Sequence, residues 1–280
     1  MRAVRLCPAG PPGVSEAGAE DSLVGNDSAA ITVCMLTHNE EDRLPASLRP
    51  LRGHAERLLV LDSGSADRTL EIAAELGAEV GSRAWEGYVS ARRHILAMAE
   101  TPWVLMIDAD EVLDSGFWDE LDRRGFPDVA ADGFQVRRRT VYLGRTMRFA
   151  GQPDWKTLLF RREKAYFEDR SVHEAVQIEG KLERLDSEIL HYSYRSPEEH
   201  QERMRRYERL AAEDLHRQGR RATLFDLWFR PFWRWFTQMF VRGAILDGKP
   251  GRMIARSAAA SVRLRYTLLR DLERRDGGES

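Results

Sequence analysis

Three short apolar runs, each followed at once by acidic or polar residues, constrain the fold of this chain more than any other feature. The runs span residues 31–36, 58–61 and 104–107. Runs that are apolar throughout, rather than alternating, are typical of strands buried on both faces of a parallel sheet. Because the segments between the runs show helical spacing, the sequence predicts an α/β domain in which helices protect both faces of the sheet.

The remaining segments add further predicted elements. Apolar residues at helical spacing predict three helices between the runs, over residues 44–51, 70–76 and 88–99. Residues 134–137 alternate between apolar and polar, which predicts a more exposed antiparallel strand. A long helix is predicted from Ser196 to about Gln218, since a capping serine is followed by proline and glutamates and Gly219 can end the helix.

Composition excludes several classes of protein. The chain of 280 residues has 42% hydrophobic and 31% charged residues, which excludes a wholly disordered chain. Its formal net charge of −2 gives no global basic field, so we expect no nucleic-acid partner. Two cysteines exclude a disulfide framework, and Cys34 is expected to pack in the core. We find no signal-type apolar segment and no run of the ~18 apolar residues that a spanning helix needs, so we expect a soluble, cytoplasmic protein.

The chemistry is concentrated directly after the apolar runs. The first run leads into Thr37, His38, Asn39, Glu40 and Glu41, the second into Asp62 and Ser63, and the third into Asp108, Ala109, Asp110 and Glu111. The carboxyl ends of parallel strands meet at one edge of a sheet, where open α/β sheets bind their ligands. Carboxylates two residues apart can present oxygens to a hard cation such as Mg²⁺ or Mn²⁺. The alternative is a pair of solvated loop acids.

Glycine-rich phosphate loops are absent from the sequence. Neither a Walker-type motif nor a Gly-x-Gly-x-x-Gly motif follows any of the runs. Phosphate would therefore bind through a metal, which favours a nucleotide-sugar enzyme over a P-loop kinase or a dehydrogenase. His38, His94 and His191 match no zinc spacing, and we expect them to be packed or hydrogen-bonded.

Several motifs in a fixed order resemble those of the family 2 glycosyltransferases, and more closely the branch of lipopolysaccharide-core β-1,4-glucosyltransferases. They are Thr-His-Asn-Glu-Glu from Thr37, Asp-Ser-Gly-Ser-Ala-Asp-Arg-Thr from Asp62, Ile-Asp-Ala-Asp-Glu from Ile107, Val-His-Glu from Val172 and His-Tyr-Ser-Tyr from His191. The resemblance covers residues 31–194. It implies a GT-A nucleotide-diphospho-sugar transferase fold, a Rossmann-like mixed sheet flanked by helices, here with a C-terminal helical extension.

The resemblance also implies a reaction and a set of roles. The reaction is an inverting, metal-dependent transfer of a sugar, glucose by expectation, from a UDP-sugar to a glycolipid or lipopolysaccharide-core-type acceptor. Asp62 would contact the uracil, Thr37, Asn39, Glu40 and Ser63 would line the nucleotide, and Asp108 and Asp110 would hold Mg²⁺ or Mn²⁺ on the diphosphate. Glu174 would be the general base, with Asp154 as a rival base or acceptor-site residue and a surface ion pair as the alternative for Glu174.

Arg92 and Arg93 lie on the third predicted helix, where they could reach the donor phosphates. A solvated helix face is the alternative for both. Two rivals to the transferase are considered: a sugar nucleotidyltransferase, which would need a glycine-rich basic loop after the first strand, and a non-catalytic membrane-associated scaffold. Neither a glycine nor a lysine occurs in residues 37–41.

The C-terminal third is aromatic and basic. Residues 225–240 contain eight Phe and Trp residues, and residues 227–270 contain nine Arg and Lys residues against the single acid Asp247. One interpretation is helices packed onto the catalytic domain; a second, which we favour, is a segment that lies on the inner face of the cytoplasmic membrane. Stacking on nucleic acid is a third, for which the sequence contains no recognisable module. We therefore expect a disordered tail over residues 1–28, a catalytic domain over 29–195 and a membrane-associating helical region over 196–275.

Overall fold

A computed structural model describes residues 31–142, 144–150, 154–167, 175–193 and 197–278. The predicted tail over residues 1–28 and the predicted base Glu174 lie outside the described residues. The chain divides into two compact units. The α/β unit comprises the described residues of Glu16–Arg138 and Asp154–His191, and the helical unit those of Arg139–Pro153 and Tyr192–Ser280.

The α/β unit is built on a mixed sheet in the strand order β3-β2-β1-β4-β8-β6-β11-β5. Strands β1 to β4 run parallel, and β8 pairs antiparallel with both β4 and β6. The strands are β1 Ile31–Thr37, β2 Arg57–Asp62, β3 Glu79–Ser82, β4 Trp103–Asp108, β5 Glu111–Leu113, β6 Gly133–Tyr142, β7 Arg145–Thr146, β8 Asp154–Arg161, β9 Ala165–Tyr166, β10 Gln177–Ile178 and β11 Leu182–His191. The three apolar runs are thus confirmed as parallel strands, and residues 134–137 as part of an antiparallel one.

Four helices belong to this unit. They are α1 Leu44–Leu48, which continues as a 3-10 turn over Arg49–Leu51, α2 Thr69–Glu75, α3 Tyr88–Met98 and α4 Phe117–Arg123. The three helices predicted from spacing are confirmed within one or two residues. Gly77 follows α2 with a φ of +82°, a left-handed conformation that favours glycine at a helix end.

Both faces of the sheet carry a hydrophobic core, as the wholly apolar strands predict. Val33 and Met35 on β1 face one core, and Cys34 between them faces the other. Burial raises the pKa of the Cys34 thiol to about 12, which makes it a packing residue rather than a reactive one. The expectation that Cys34 packs in the core is confirmed.

The helical unit contains three further helices. They are α5 Pro197–Arg217, α6 Leu224–Phe236, followed by a π-helical segment Thr237–Val241 and a 3-10 helix Ala244–Asp247, and α7 Gly248–Gly278. The helix predicted after Ser196 is confirmed. In α6, Thr223 and Asp226 form a reciprocal capping box. Arg265 on α7 donates to both carboxylate oxygens of Glu208 on α5, at 2.6 and 3.1 Å. Over the described part of the chain, no helix is both long and apolar enough to span a bilayer.

Residues 139–142 and 144–150, which include the end of β6 and all of β7, belong to the helical unit. The Asp247 carboxylate accepts the backbone N–H groups of Arg148, Phe149 and Ala150 at 3.0, 2.9 and 2.6 Å. Met147 is buried in a small cluster with residues of α7 and its preceding turns. Asp247, the lone acid of residues 227–270, therefore satisfies backbone donors inside its own unit.

Candidate functional site

The carboxyl ends of β1 and β2 are joined around one buried carboxylate. Thr37 lies opposite Asp62 in the strand register. The Asp62 oxygens accept hydrogen bonds from Gly64 N at 2.8 Å, Ser65 N at 2.7 Å, Ser65 Oγ at 2.5 Å and Thr37 Oγ1 at 3.2 Å. Burial opposes ionisation of Asp62, but the bonds from Ser65, Gly64 and Thr37 outweigh it and lower the pKa. Asp62 thus fixes the turn after β2, and its contact with a nucleobase stays a prediction.

The loop after β1 is fastened to the same turn. Asn39, whose φ is +55°, donates its backbone N–H to Ser65 Oγ at 2.8 Å, and its side-chain oxygen accepts from Ala66 N at 2.8 Å. Glu40 donates its backbone N–H to Thr69 Oγ1 at 2.8 Å. Ser63 N donates to the Thr37 carbonyl at 3.1 Å. The structure therefore brings together the five residues predicted to surround the nucleotide: Thr37, Asn39, Glu40, Asp62 and Ser63.

Asp108, at the end of β4, lies between two cations. Lys156 Nζ donates to Asp108 Oδ2 at 2.9 Å, and Arg92 Nη2 lies 3.3 and 3.4 Å from the two carboxylate oxygens. Burial raises the pKa of Asp108, but Lys156 and Arg92 lower it more, so the carboxyl group is ionised. Arg92 therefore lies at the end of β4, whereas Arg93 donates to the Phe167 carbonyl at 2.5 Å, and the reach of either to donor phosphates stays a prediction.

Glu111 contacts both Asp108 and Lys156 and is fully buried. Its Oε2 accepts the Asp108 backbone N–H at 3.0 Å and also contacts Lys156 Nζ. Its Oε1 lies 3.5 Å from Arg138 Nη1. Burial lowers the pKa of Lys156, but Asp108 and Glu111 raise it more, so the ammonium stays charged. Glu111 therefore accepts from the Asp108 backbone and also contacts the Lys156 ammonium that binds the Asp108 side chain.

Asp154, the rival base, lies at the start of β8 and is more than half exposed. Arg138 binds both of its oxygens, Nε to Oδ1 at 3.1 Å and Nη2 to Oδ2 at 2.6 Å. Because Arg138 also contacts Glu111, it connects Asp154 to the Asp108 pair. Six side chains form what we name the charge cluster: Asp108, Glu111, Asp154, Arg92, Arg138 and Lys156. It contains three acidic and three basic side chains.

Asp110 has different partners from Asp108. Its Oδ2 lies 3.2 Å from His191 Nε2 and 3.9 Å from Arg43 Nη1. The expectation that His191 is hydrogen-bonded is confirmed. No three His, Cys, Asp or Glu side chains form a metal-binding group within the described residues. A cation that keeps positions for phosphate oxygens and water needs only one or two carboxylates, and the Asp110 oxygens with the neighbouring His191 nitrogen fit that requirement.

Three residues of the charge cluster, Lys156, Arg138 and Glu111, are not among the site residues predicted from the sequence. Glu111 directly follows the Asp-x-Asp pair, so its place in the chain was an available signal. Lys156 and Arg138 reach the site only because β8 and β6 join the sheet beside β4. No local pattern around either residue indicates that pairing.

Comparison with known proteins points to one family. The sequence model of glycosyl transferase family 2 matches residues 32–175 of this chain. An uncharacterised glycosyltransferase of Rickettsia prowazekii is 28% identical over 255 residues, which cover 86% of this chain and 87% of that protein. Another, from Mycobacterium bovis, is 39% identical over 112 residues, or 40% of this chain and 50% of that protein.

Two solved structures have a similar arrangement. Residues 1–349 of S. aureus TarS in complex with UDP-GlcNAc give a TM-score of 0.46 at 18% identity and cover 88% of this chain and 92% of that chain. Glucosyl-3-phosphoglycerate synthase from Mycobacterium tuberculosis, with Mn²⁺, UDP and glucosyl-3-phosphoglycerate, gives 0.35 at 23% identity, covering 48% and 57%.

Proposed function

This chain belongs to glycosyl transferase family 2, and on that premise we propose that it transfers a hexose, glucose by preference, from a UDP-sugar to a hydroxyl group of a glycolipid or lipopolysaccharide-core-type acceptor, with inversion. Its fold is the GT-A fold of that family, a mixed sheet with flanking helices and a C-terminal helical extension. Glycosyl transfer is the reaction class that family membership gives; the donor sugar, the acceptor and the stereochemistry are our proposals.

The observation that carries the proposal is the meeting of three polar strand ends. Strand β1 pairs with β2 on one side and β4 on the other, so the loops that hold Thr37, Asp62 and Asp108 start from neighbouring strands. The side chains of the first two form one hydrogen-bonded turn, and the third begins the charge cluster. A nucleoside diphosphate has the matching chemistry, with hydrogen-bonding groups at one end and anionic oxygens at the other.

In the proposed mechanism the acceptor hydroxyl attacks the anomeric carbon opposite the diphosphate. The new carbon–oxygen bond forms as the bond to the diphosphate oxygen breaks, and the hydroxyl proton passes to a carboxylate. We assign that carboxylate to Glu174, with Asp154 as its rival. A positioned base of this kind contributes about 10²–10⁴-fold in rate. Arg138 donates to both oxygens of Asp154, so an acceptor hydroxyl would have to share that carboxylate with the guanidinium.

The departing diphosphate gains negative charge, which the cationic side chains at the end of β4 would neutralise. Arg92 and Lys156 carry N–H groups that can turn from Asp108 to phosphate oxygens. Asp110, with His191 beside it, would hold Mg²⁺ or Mn²⁺, which when bound supplies further neutralisation of the leaving group. Asp108 would share this role or instead position the two cationic side chains.

Donor binding tests the proposal directly. Titration calorimetry of UDP-glucose in the presence of MnCl₂ is expected to show uptake by the wild-type protein, and released UDP measures turnover. Asp110→Ala should abolish both with an unchanged melting temperature. Asp119→Ala removes an exposed carboxylate of α4 and should behave as wild type. Undiminished transfer by Asp110→Ala would count against the cation assignment, and no uptake of any UDP-sugar would reject the donor class.

We further propose that the helical unit contacts the inner face of the cytoplasmic membrane. Six large apolar side chains of α6 are between 45% and 67% exposed and recur as adjacent pairs every four residues: Leu224, Phe225, Trp228, Phe229, Phe232 and Trp233. That spacing places them along one side of the helix. We name them the aromatic face. Aromatic side chains beside arginines suit the interface of an anionic bilayer.

A further inference from the structure

A groove of about 380 Å³ lies between α6 and α7 in the helical unit. Trp228, Phe232 and Trp235 form its α6 side, spaced four and three residues apart and therefore on one side of that helix. The α7 side is formed by Ala259 and Ala260, whose methyl groups leave the space open. The walls are thus hydrocarbon and aromatic rings.

A single charge borders the groove. The Arg263 guanidinium lies 4.9 Å from the centre of the Trp228 ring, a cation–π contact that holds it beside the apolar wall. Among the described residues no carboxylate lines the groove. An apolar groove with an arginine beside it matches a molecule that joins a hydrocarbon chain to an anionic group.

The length of the groove selects among such molecules. From Trp228 to Trp235 the helix rises by about 10 Å. One leaflet of a bilayer has a hydrocarbon thickness of about 15 Å, half of the ~30 Å core. The groove therefore has room for the part of one acyl chain nearest the headgroup, with the headgroup phosphate beside Arg263.

We propose that this groove binds one acyl chain of an anionic phospholipid, with the phosphate on Arg263. The site is distinct from the aromatic face as a whole. Phe225, Phe229 and Trp233 belong to the face but do not line the groove, whereas Trp235 and the two alanines line the groove only. The inference rests on the membrane contact proposed above, since the groove shares Trp228 and Phe232 with the aromatic face.

The test uses a soluble lipid below its critical micelle concentration, dihexanoyl phosphatidylglycerol, with the phosphatidylcholine analogue as comparison. In calorimetry, the wild-type protein should bind the phosphatidylglycerol more tightly than the phosphatidylcholine. Ala260→Phe fills the groove at an exposed position of α7 and should weaken binding at least about tenfold. Ala259→Leu is a second filling variant in case the first does not fold. Arg263→Gln should remove the preference for the anionic lipid.

Phe229→Ser is the matched control, since it alters the aromatic face and not the groove. It should keep its affinity for the soluble lipid while floating less with phosphatidylcholine–phosphatidylglycerol vesicles. The proposal is overturned if the filling variants bind as wild type, or if Phe229→Ser loses lipid binding equally. Light scattering measures the oligomeric state of the lipid-free protein. If wild type is a dimer and Ala260→Phe is a monomer, a second copy of the chain occupies the groove and the lipid proposal is overturned. If the wild-type protein floats with vesicles but does not bind the soluble lipid, the groove proposal is wrong and the membrane contact is still supported.

Discussion

Lys156 is the residue on which the charge cluster depends most. Its ammonium contacts the carboxylates of both Asp108 and Glu111, and Arg92 is the other cation on Asp108. Glu111 is fully buried, so its charge has little access to water. Removing one partner of a buried ion pair is strongly destabilising, because the remaining charge is then desolvated without compensation. Lys156 therefore stabilises the fold at the same strand end where we propose that the donor binds.

Lys156→Met should lower the free energy of unfolding by about 3–5 kcal/mol. Urea unfolding measures this, with Lys181→Met, at a position whose side chain is 61% exposed, as the matched control expected to change stability by less than about 0.5 kcal/mol. The double variant Lys156→Met with Glu111→Gln should recover part of the loss, since it removes the unpaired charge. Equal effects of the two lysine substitutions would contradict the role of the buried pairs.

The acids of the site were predictable at the residue scale, and their partners were not. Asp62, Asp108 and Asp110 each follow an apolar run, so their place at the edge of the sheet follows from local pattern. Lys156 lies 48 residues after Asp108 in the chain, and its contact depends on which strand pairs with β4. Strand pairing over such a separation is set by the whole fold, which no local window contains.

At the scale of elements, helix α4 is tied to strand β11 through Glu120. The carboxylate accepts backbone N–H groups of Asp186 at 3.0 Å and Ser187 at 2.9 Å, together with the Ser187 hydroxyl at 2.7 Å. Arg124 donates to the same carboxylate at 2.9 Å. Burial opposes ionisation, but these hydrogen bonds outweigh it and lower the pKa of Glu120 from 4.5 to about 2.

This lowered pKa predicts an acid-sensitive contact. The folded state favours the ionised carboxylate, so the stabilisation is complete above pH 4.5 and is lost as the pH falls towards 2. Between those limits wild type should lose about 3 kcal/mol more of its free energy of unfolding than Glu120→Gln does. Urea unfolding at pH 5 and pH 2.5 measures the difference. Glu75→Gln, at an exposed position of α2, should lose as much free energy of unfolding between pH 5 and pH 2.5 as wild type does. The same loss in Glu120→Gln would contradict the role of the Glu120 carboxylate.

Element predictions succeeded where one periodicity was continuous. The three parallel strands and helices α2, α3 and α5 follow from apolar runs, helical spacing and terminal signals. The connection between α6 and α7 could not be predicted in this way, because the π-helical segment Thr237–Val241 and the 3-10 helix Ala244–Asp247 have no distinct period in the sequence. Their conformation depends on tertiary contacts such as the hydrogen bonds to Asp247.

For the molecule as a whole, the sequence could not separate buried from exposed aromatics. Eight aromatic residues within residues 225–240 recur at helical spacing, and a single aromatic side of a helix fits both the packed and the interfacial interpretations. The structure divides them: Trp235 and Phe236 are half-buried, whereas Trp228, Phe229, Phe232 and Trp233 are exposed. An exposed aromatic surface of this size on a basic unit is typical of a binding interface.

Vesicle flotation tests the membrane contact at this scale. Wild type should float with phosphatidylcholine–phosphatidylglycerol vesicles and less with phosphatidylcholine alone, because each arginine near an anionic surface contributes about 1 kcal/mol. Raising the KCl concentration should reduce flotation by screening. Trp233→Ser should float less, and Tyr207→Ser, an exposed aromatic substitution on α5, should not differ from wild type. Flotation that is insensitive to Trp233→Ser, lipid charge and salt would reject an interfacial contact.

The strand register also sets a length that a ligand must have. Asp62 and Asp108 stand on β2 and β4, with β1 between them, so two interstrand spacings of about 4.8 Å separate their strands. A molecule that touches both strand ends must reach about 10 Å across the sheet edge. Inorganic phosphate or a lone sugar is too short to do so. Uridine and pyrophosphate supplied as separate fragments should each bind weakly, and joining them covalently should raise the affinity well beyond that of either, because the second contact becomes intramolecular.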